Sequence, residues 1–316
     1  MKNLQDLQIV VPLFNEAGLI AEFNKRLVNV LDSLPYSYSI FYVDDGSNDE
    51  TYLALLSIAN KNNRISIIQL SRNFGHQAAL CAGIDQVEAR MIITMDGDGQ
   101  HSPELIPMMI EKHLEGFDIV QTQRNDSGSP LIKRVTAKIF YWLINTLGDT
   151  TVLPGTADFR LYSLNVIKAL KQIHEYHKFI RGIIPWLGFK TYILSYTPQQ
   201  RISGKSKFTF NKMFELAENA IFSFSLVPLK IGLFVGVFFI FLALVEALYV
   251  LSFWIRGQQN LLAPGWSSLV FLILITGGVL MIMLGILGVY IGHIHQEVKN
   301  RPIYIIRTIF QKNRKD

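Results

Sequence analysis

Two acids separated by one glycine, Asp96-Gly97-Asp98, close an apolar run and lead into Gly99-Gln100-His101. Carboxylates at i and i+2, with glycine allowing a sharp turn, suit a hard divalent cation held against a diphosphate. Without a metal the same carboxylates repel phosphate. The competing reading is an acidic turn ahead of a helix capped by Ser102 before Pro103. Asp44-Asp45-Gly46-Ser47 closes a second run, and Pro12-Leu13-Phe14-Asn15-Glu16 a third. Acids so placed accept hydrogen bonds from ribose hydroxyls or a base N–H, and the Pro12–Phe14 edge can support a planar base. Taken singly, each is equally well a capped turn. Arg72, in Ser71-Arg72-Asn73-Phe74-Gly75, precedes a helix start and faces either a phosphate or a surface acid. Arg124 follows a fifth run and either contacts phosphate or caps that strand. Arg201, Lys205 and Lys207 share a turn with Ser203 and Gly204, a cluster that fits a bound phosphate or merely anionic lipid heads.

Two familiar nucleotide signatures fail. Ser203-Gly204-Lys205-Ser206 resembles the end of a phosphate-binding loop, but Gln199 stands where its first glycine is required; Gly97-x-Gly99 has Ser102 in place of its third glycine. ATPase and dehydrogenase chemistry are thereby excluded.

The elements that must position these residues follow from the pattern of apolar runs. Strand-like segments at residues 7–11, 39–43, 65–70, 91–95 and 118–122 alternate with helical patterns beginning near residues 17, 51, 77 and 103. Short apolar runs separated by helices predict an α/β doubly wound domain with a largely parallel sheet covered on both faces. Ligands in such sheets bind beyond the carboxyl ends of the strands, where the acids above stand.

The composition requires something more than a soluble domain. Of 316 residues, 50% are hydrophobic and 17% charged, with mean hydropathy +0.26, too apolar for disorder and unusual for a wholly soluble enzyme. Residues 231–255 contain one ionisable side chain, Glu246, and residues 267–292 none. Each window exceeds the roughly 20 residues that span a bilayer, so two transmembrane helices are expected, joined at residues 256–266 through Pro264-Gly265. Lys299, Arg301, Arg307, Lys312, Arg314 and Lys315 follow the second window, against Arg256 alone in the connector, which puts both termini in the cytoplasm. The net charge of +5 is therefore a topology signal, with no nucleic-acid partner implied. Phe208, Phe210, Phe214, Ala217, Ile221 and Phe224 share one helical face that suits either the membrane interface or a core. Cys81 stands alone, which excludes a disulfide framework and fits a reducing compartment. Gly232-x-x-x-Gly236 and Gly288-x-x-x-Gly292 permit close helix packing and homo-oligomerisation.

In their order, Val11–Glu16, Asp44–Ser47, Arg72–Gly75 and Asp96–His101 resemble the inverting family 2 glycosyltransferases of GT-A fold. With Arg201-Ile202-Ser203-Gly204-Lys205-Ser206-Lys207 and the two-helix anchor, the whole chain resembles the polyprenyl-phosphate glycosyltransferases. Within them it is nearest the bactoprenol glucosyltransferase branch and more distant from dolichyl-phosphate mannose synthase. The resemblance implies a GT-A domain over residues 1–205, a juxtamembrane amphipathic helix over 206–228, the hairpin over 229–293 and a basic cytoplasmic tail over 294–316. It implies hexose transfer, glucose from UDP-glucose, onto undecaprenyl or another polyprenyl phosphate, with Mg or Mn at Asp96, Asp98 and Gln100. Pro12, Phe14, Asn15, Glu16, Asp44, Asp45, Arg72, Asp96, Gly97 and Asp98 would hold the nucleotide sugar. Arg124, Arg201, Lys205 and Lys207 would hold the acceptor phosphate, with Asp158, Asp98 and Arg201 catalytic. Asp158 has two open readings, a base or acceptor-orienting group and an ion pair with Arg160. A separate flippase and a downstream glycosyltransferase are the implied partners, beside membrane lipid. A GDP-mannose donor and a catalytically silent scaffold remain as alternatives.

Overall fold

The computed structural model describes residues 4–124, 155–175, 178–196, 227–257 and 265–312. Its elements run β1 (Gln5–Leu13), α1 (Ile20–Asp32), β2 (Tyr38–Asp44), α2 (Thr51–Ala59), β3 (Ile65–Leu70), α3 (His76–Gln86) and β4 (Ala89–Thr94). A 3-10 turn (Pro103–Leu105) leads into α4 (Ile106–Leu114), β5 (Ile119–Arg124), β6 (Thr156–Ser163), α5 (Leu164–Gln172), α6 (Ile180–Trp186) and β7 (Thr191–Tyr196). Two long helices, α7 (Val227–Ile255) and α8 (Trp266–Val298), precede β8 (Ile306–Gln311).

The strands form one sheet in the order β7-β5-β6-β4-β1-β2-β3-β8. β1 lies parallel to β2 and β4, β2 to β3, and β5 to β7, whereas β6 runs antiparallel to β4 and β5. The expected α/β architecture with a mostly parallel sheet is therefore present, as a mixed sheet. Alternation along β1 explains the two covered faces. Leu7, Ile9, Val11 and Leu13 join a core with Phe23, Leu27 and Leu31 of α1 and Leu55 of α2; Val10 joins the other, with α3 and α5. Phe23, Leu27 and Leu31 recur every fourth residue, one stripe of a helix, and burial of each contributes about 1.5–3 kcal/mol.

The C-terminal segment departs from the sequence expectation. Residues read there as part of a basic tail form β8, antiparallel to β3 with Ile67 opposite Phe310 and Ile68 opposite Ile309. Ser71 N donates to Ile305 O at 2.9 Å, Tyr304 Oη to Asp85 Oδ2 at 2.7 Å, and Lys312 Nζ to Asn60 O at 2.6 Å. The physical reason is the edge of β3, whose backbone groups need partners that water or another strand must supply. Phe310 and Ile306 also add to the two cores.

α7 and α8 contain 29 and 33 residues, at least as long as the apolar windows. Ile275–Val298 is long and apolar enough to cross a membrane, with none of its 24 residues buried. Phe234, Phe241 and Leu248 of α7 are likewise exposed. The helices touch where a Cβ on Gly232 would fall 1.7 Å from Met283 Cε, so glycine permits the approach. No such neighbour lies within 4 Å of Gly236, Gly288 or Gly292.

Candidate active site

A cleft of about 350 Å³ opens at the carboxyl ends of β1, β2 and β4, lined by Pro12, Phe14, Glu16, Asp45, Asn73, His76, Asp96, Gly97 and Asp98. It unites seven of the residues read from the sequence as nucleotide-sugar ligands. Parallel pairing causes this, because β1, β2 and β4 end on the same side and deliver their following turns to one place.

Asp45 accepts backbone N–H bonds from Phe74 at 2.8 Å and Gly75 at 2.9 Å, so it ties the β3–α3 loop across the cleft. Burial raises its pKa, partly offset by those two donors. Asp44 is fully buried; Oδ1 accepts from Ser47 N, while Oδ2 has no hydrogen-bond partner. Asn15 takes a left-handed backbone at φ 55° and its Oδ1 accepts from Asn48 N at 2.9 Å, which makes it a turn residue outside the cleft lining. Arg72 is exposed, with its guanidinium 4.1 Å over the Phe74 ring, and also lies outside that lining.

Asp96 and Asp98 hold different environments. Asp96 Oδ1 is buried without a hydrogen bond, with His76 Nε2 3.4 Å away. Asp98 Oδ1 accepts from Gln100 N at 3.0 Å, and its Oδ2 accepts from the Gln100 side-chain amide. Gln100 thus stands beside the acidic pair, contacting Asp98 through its backbone N–H and its side-chain amide. His101 is buried, stacked on Phe159, and its Nδ1 accepts from Asp96 N at 2.9 Å, fixing the acidic loop. Among the described residues no group of three or more His, Cys, Asp or Glu side chains forms a metal cage. The Asp96–Asp98 pair nevertheless fits a divalent cation of the Mg type, which takes one or two carboxylates and completes its shell with substrate phosphates and water. Asp96 Oδ1 makes no hydrogen bond but lies 3.4 Å from His76 Nε2, so a cation bound there would take it from that imidazole.

Asp158 comes to the same place from β6. Thr94 pairs with Arg160 in the antiparallel register, and continuing that register sets Asp158 opposite Asp96. Arg181, on α6, binds the Asp158 carboxylate through Nε at 3.2 Å and Nη2 at 2.8 Å. Arg160 Nη2 lies 3.6 Å from Oδ1, His76 Nε2 3.4 Å from Oδ2, and Gln77 Nε2 3.5 Å from Oδ2. Burial works to raise the Asp158 pKa, but Arg181, His76 and Arg160 outweigh it and hold the carboxyl well below its usual range. For His76, desolvation opposes the charge, yet Asp96 and Asp158 push its pKa up to about 9. An anion so completely paired is a poor proton acceptor, so the ion-pair reading of Asp158 fits better than the base reading, with Arg181 a second partner beside Arg160. His76, Gln77 and Arg181 escaped the sequence reading; His76 at a helix start and Arg181 in an apolar stretch carry no motif.

Residues 8–170 match the glycosyl transferase family 2. Over 306 residues the chain is 37% identical to an uncharacterized glycosyltransferase of Synechocystis, covering 96% of each chain. It is 37% identical to the uncharacterized glycosyltransferase YkcC of Bacillus subtilis, covering 96% of this chain and 93% of that one. The chain belongs to glycosyl transferase family 2. This glycosyltransferase is also 36% identical over 312 residues to the SfII prophage-derived bactoprenol glucosyl transferase of Shigella flexneri, spanning 97% of this chain and 99% of that one. The α/β domain of the glycosyltransferase carries the acidic loop after β4 at its cleft. Arg201, Lys205, Lys207, the side chain of Arg124 and the face formed by Phe208 to Phe224 lie outside the described residues.

Proposed function

We propose that this glycosyltransferase moves glucose from UDP-glucose to undecaprenyl or a related polyprenyl phosphate at the cytoplasmic face of the membrane, with inversion at the anomeric carbon. The observation that carries this reading is the 36% identity, across nearly the whole of both chains, to a bactoprenol glucosyl transferase. The cleft at the ends of β1, β2 and β4 supports it.

In this reading Pro12, Phe14 and Asp45 border the uridine, with Asp44 fully buried outside the cleft lining, and Glu16 and the β3–α3 loop border the sugar nucleotide. Asn15 and Arg72 hold the turns around it. A bound Mg or Mn ion, held by Asp96 and Asp98, supplies charge stabilisation to the leaving diphosphate. Asp98 is kept in orientation by Gln100 and Asp96 by His101. A phosphate monoester has a second pKa near 6, so the acceptor oxygen is already anionic at neutral pH. That oxygen attacks the anomeric carbon as the bond to the diphosphate breaks, and the electron pair leaves with UDP. No proton has to be removed, which is compatible with the low basicity of Asp158. Arg124, Arg201, Lys205 and Lys207 supply positive charge toward the acceptor.

The assignment includes a catalytic domain over residues 1–205, an interfacial helix over 206–228, a two-pass hairpin over 229–293 and cytoplasmic termini. It also includes homo-oligomerisation, with a flippase and a downstream glycosyltransferase acting on the product. The test is turnover by the purified full chain in lipid nanodiscs with undecaprenyl phosphate and a panel of labelled nucleotide sugars, with and without chelator. Metal-dependent labelling of lipid from UDP-glucose is expected. Preferred use of another donor overturns the glucose assignment, and labelling unaffected by chelation overturns the metal assignment.

A further inference from the structure

The two glycines of the acidic loop are there for different reasons. Gly99 has φ +77°, in the left-handed region, whereas Gly97 has no positive φ, so a side chain at 97 meets no torsional penalty. The obstacle at 97 is a neighbour. A Cβ on Gly97 would lie 2.3 Å from Leu13 Cδ2, 3.1 Å from Val11 Cγ1 and 3.4 Å from Leu13 Cγ.

Strand register produces this crowding. β1 and β4 are parallel neighbours with Val10 opposite Thr94, and continuing that register sets Leu13 opposite Gly97. Side chains alternate along a strand, so Val11 and Leu13 share one face with Met95 and position 97, and that face is packed into the core of α1 and α2. Gly97 adds no side chain to the end of the β4 row, and Leu13 Cδ2 occupies that place. The backbone around the pair is pinned: Asp45 N donates to Leu13 O at 2.9 Å, and Met95 N to Val10 O at 3.0 Å. Any group added at 97 must therefore displace the Leu13 side chain. Val11 is fully buried and β-branched, hence stiff, and closes the inward direction. Leu13 lines the cleft between Pro12 and Phe14, so the cleft is the direction left open.

We propose that Leu13 and Gly97 are a matched pair that shapes the donor cleft, the bulk at 13 being accommodated because 97 is glycine. This rests on the reading of the cleft as the place of a uridine nucleotide. Pro12, Phe14 and Ala79 extend the apolar wall to which Leu13 belongs, and one methylene out of place in such a wall costs about tenfold to two-hundredfold in discrimination. Gly97 thus determines donor fit by shape, a role separate from the charge of the acids on either side of it.

The test compares Gly97→Ala, Leu13→Val and the double variant as full chains in nanodiscs containing undecaprenyl phosphate. It reads calorimetric UDP affinity with Mg present, donor KM, acceptor KM at saturating UDP-glucose, and Tm. Gly97→Ala is expected to weaken UDP binding and raise donor KM by about tenfold or more, while acceptor KM stays within about twofold. Leu13→Val shortens the side chain by one carbon, removing Cδ2, and lowers Tm through the space it opens. In the double variant the added methyl takes that space, and UDP affinity is expected to return to within about threefold of wild type, a clear departure from additivity. Unchanged UDP affinity in Gly97→Ala overturns the proposal whatever happens to Tm, because Leu13 then yields into the core. Equal losses toward donor and acceptor overturn it, and so does a double variant that binds UDP no better than Gly97→Ala. Wild-type protein that binds no UDP overturns the uridine reading of the cleft, and this assignment with it.

Discussion

The environments of Asp96 and Asp98 separate what motif and geometry each reveal. The pair was legible in the sequence because two acids around a glycine at a strand end have few other uses, and the structure brings both to the cleft. Asp158 was legible as a base or acceptor-orienting group from the resemblance and as a partner of Arg160 from its neighbour. Its stronger partner, Arg181, lies 23 positions away and meets it through tertiary structure, which no local spacing encodes. Asp96→Asn is expected to lower kcat by about 10²–10³, the usual cost of one preorganised charge-stabilising group, and added Mg or Mn should not restore it. A second expectation concerns His76. Its folded pKa of about 9 lies above the ordinary value of 6.5, so the charged form is favoured by folding. That contribution is complete below about pH 6.5 and disappears as pH rises through about 9. The Tm advantage of wild type over His76→Asn, measured by calorimetry of the donor-free protein, should therefore shrink across that interval. A gap that is constant or widens with rising pH would show that the two carboxylates do not hold the imidazolium.

At the scale of elements, the site depends on turns that lock to one another. Gly46, after β2, has φ +63°, and a Cβ there would lie 2.3 Å from the backbone carbon of Arg72. The β2–α2 turn thus packs directly on the β3–α3 loop that Asp45 grips from the same turn. Gly46→Ala combines left-handed strain of about 1–3 kcal/mol with a clash against backbone, so Tm should fall and UDP affinity with it. Retained UDP affinity at unchanged Tm would mean that the two loops move independently. The parallel core strands were readable from apolar runs between helices. β8 was not, because Arg307 and Lys312 gave its sequence the appearance of a basic tail, and pairing with a distant edge leaves no local signature. Hydrogen exchange provides the check: replacing Thr308, which pairs with Gln69, with proline removes a ladder donor and should speed exchange at Ser66–Leu70 of β3, whereas unchanged rates there would argue that β8 does not seal that edge.

The whole molecule joins a cleft in the α/β domain to two long helices, of which Ile275–Val298 alone among the described residues is long and apolar enough to cross a membrane, and β8 constrains how. Only seven residues, 299–305, separate the end of α8 from a strand hydrogen-bonded into the catalytic sheet. In the proposed topology the chain after α8 therefore returns to the side of the membrane that holds the cleft, in keeping with the positive charges after residue 298. At about 1.5 Å per residue, α8 is about 50 Å long, ample for a hydrocarbon core of about 30 Å with its C-terminal end projecting toward the domain. The hydropathy windows revealed the helices because apolar length is a local property; the anchorage of the second helix in the sheet is a non-local one. Cysteine labelling can test the resulting topology in the unaltered background, since Cys81 is buried and its thiol is pushed up to about 12 by that burial. With a membrane-impermeant maleimide, Gln259→Cys in the connector should label from outside intact cells, and Lys299→Cys only after the cytoplasmic face is opened. Labelling of both positions from one face would rule out the hairpin, and the reversed pattern would place the donor cleft on the side of the membrane that lacks sugar nucleotides.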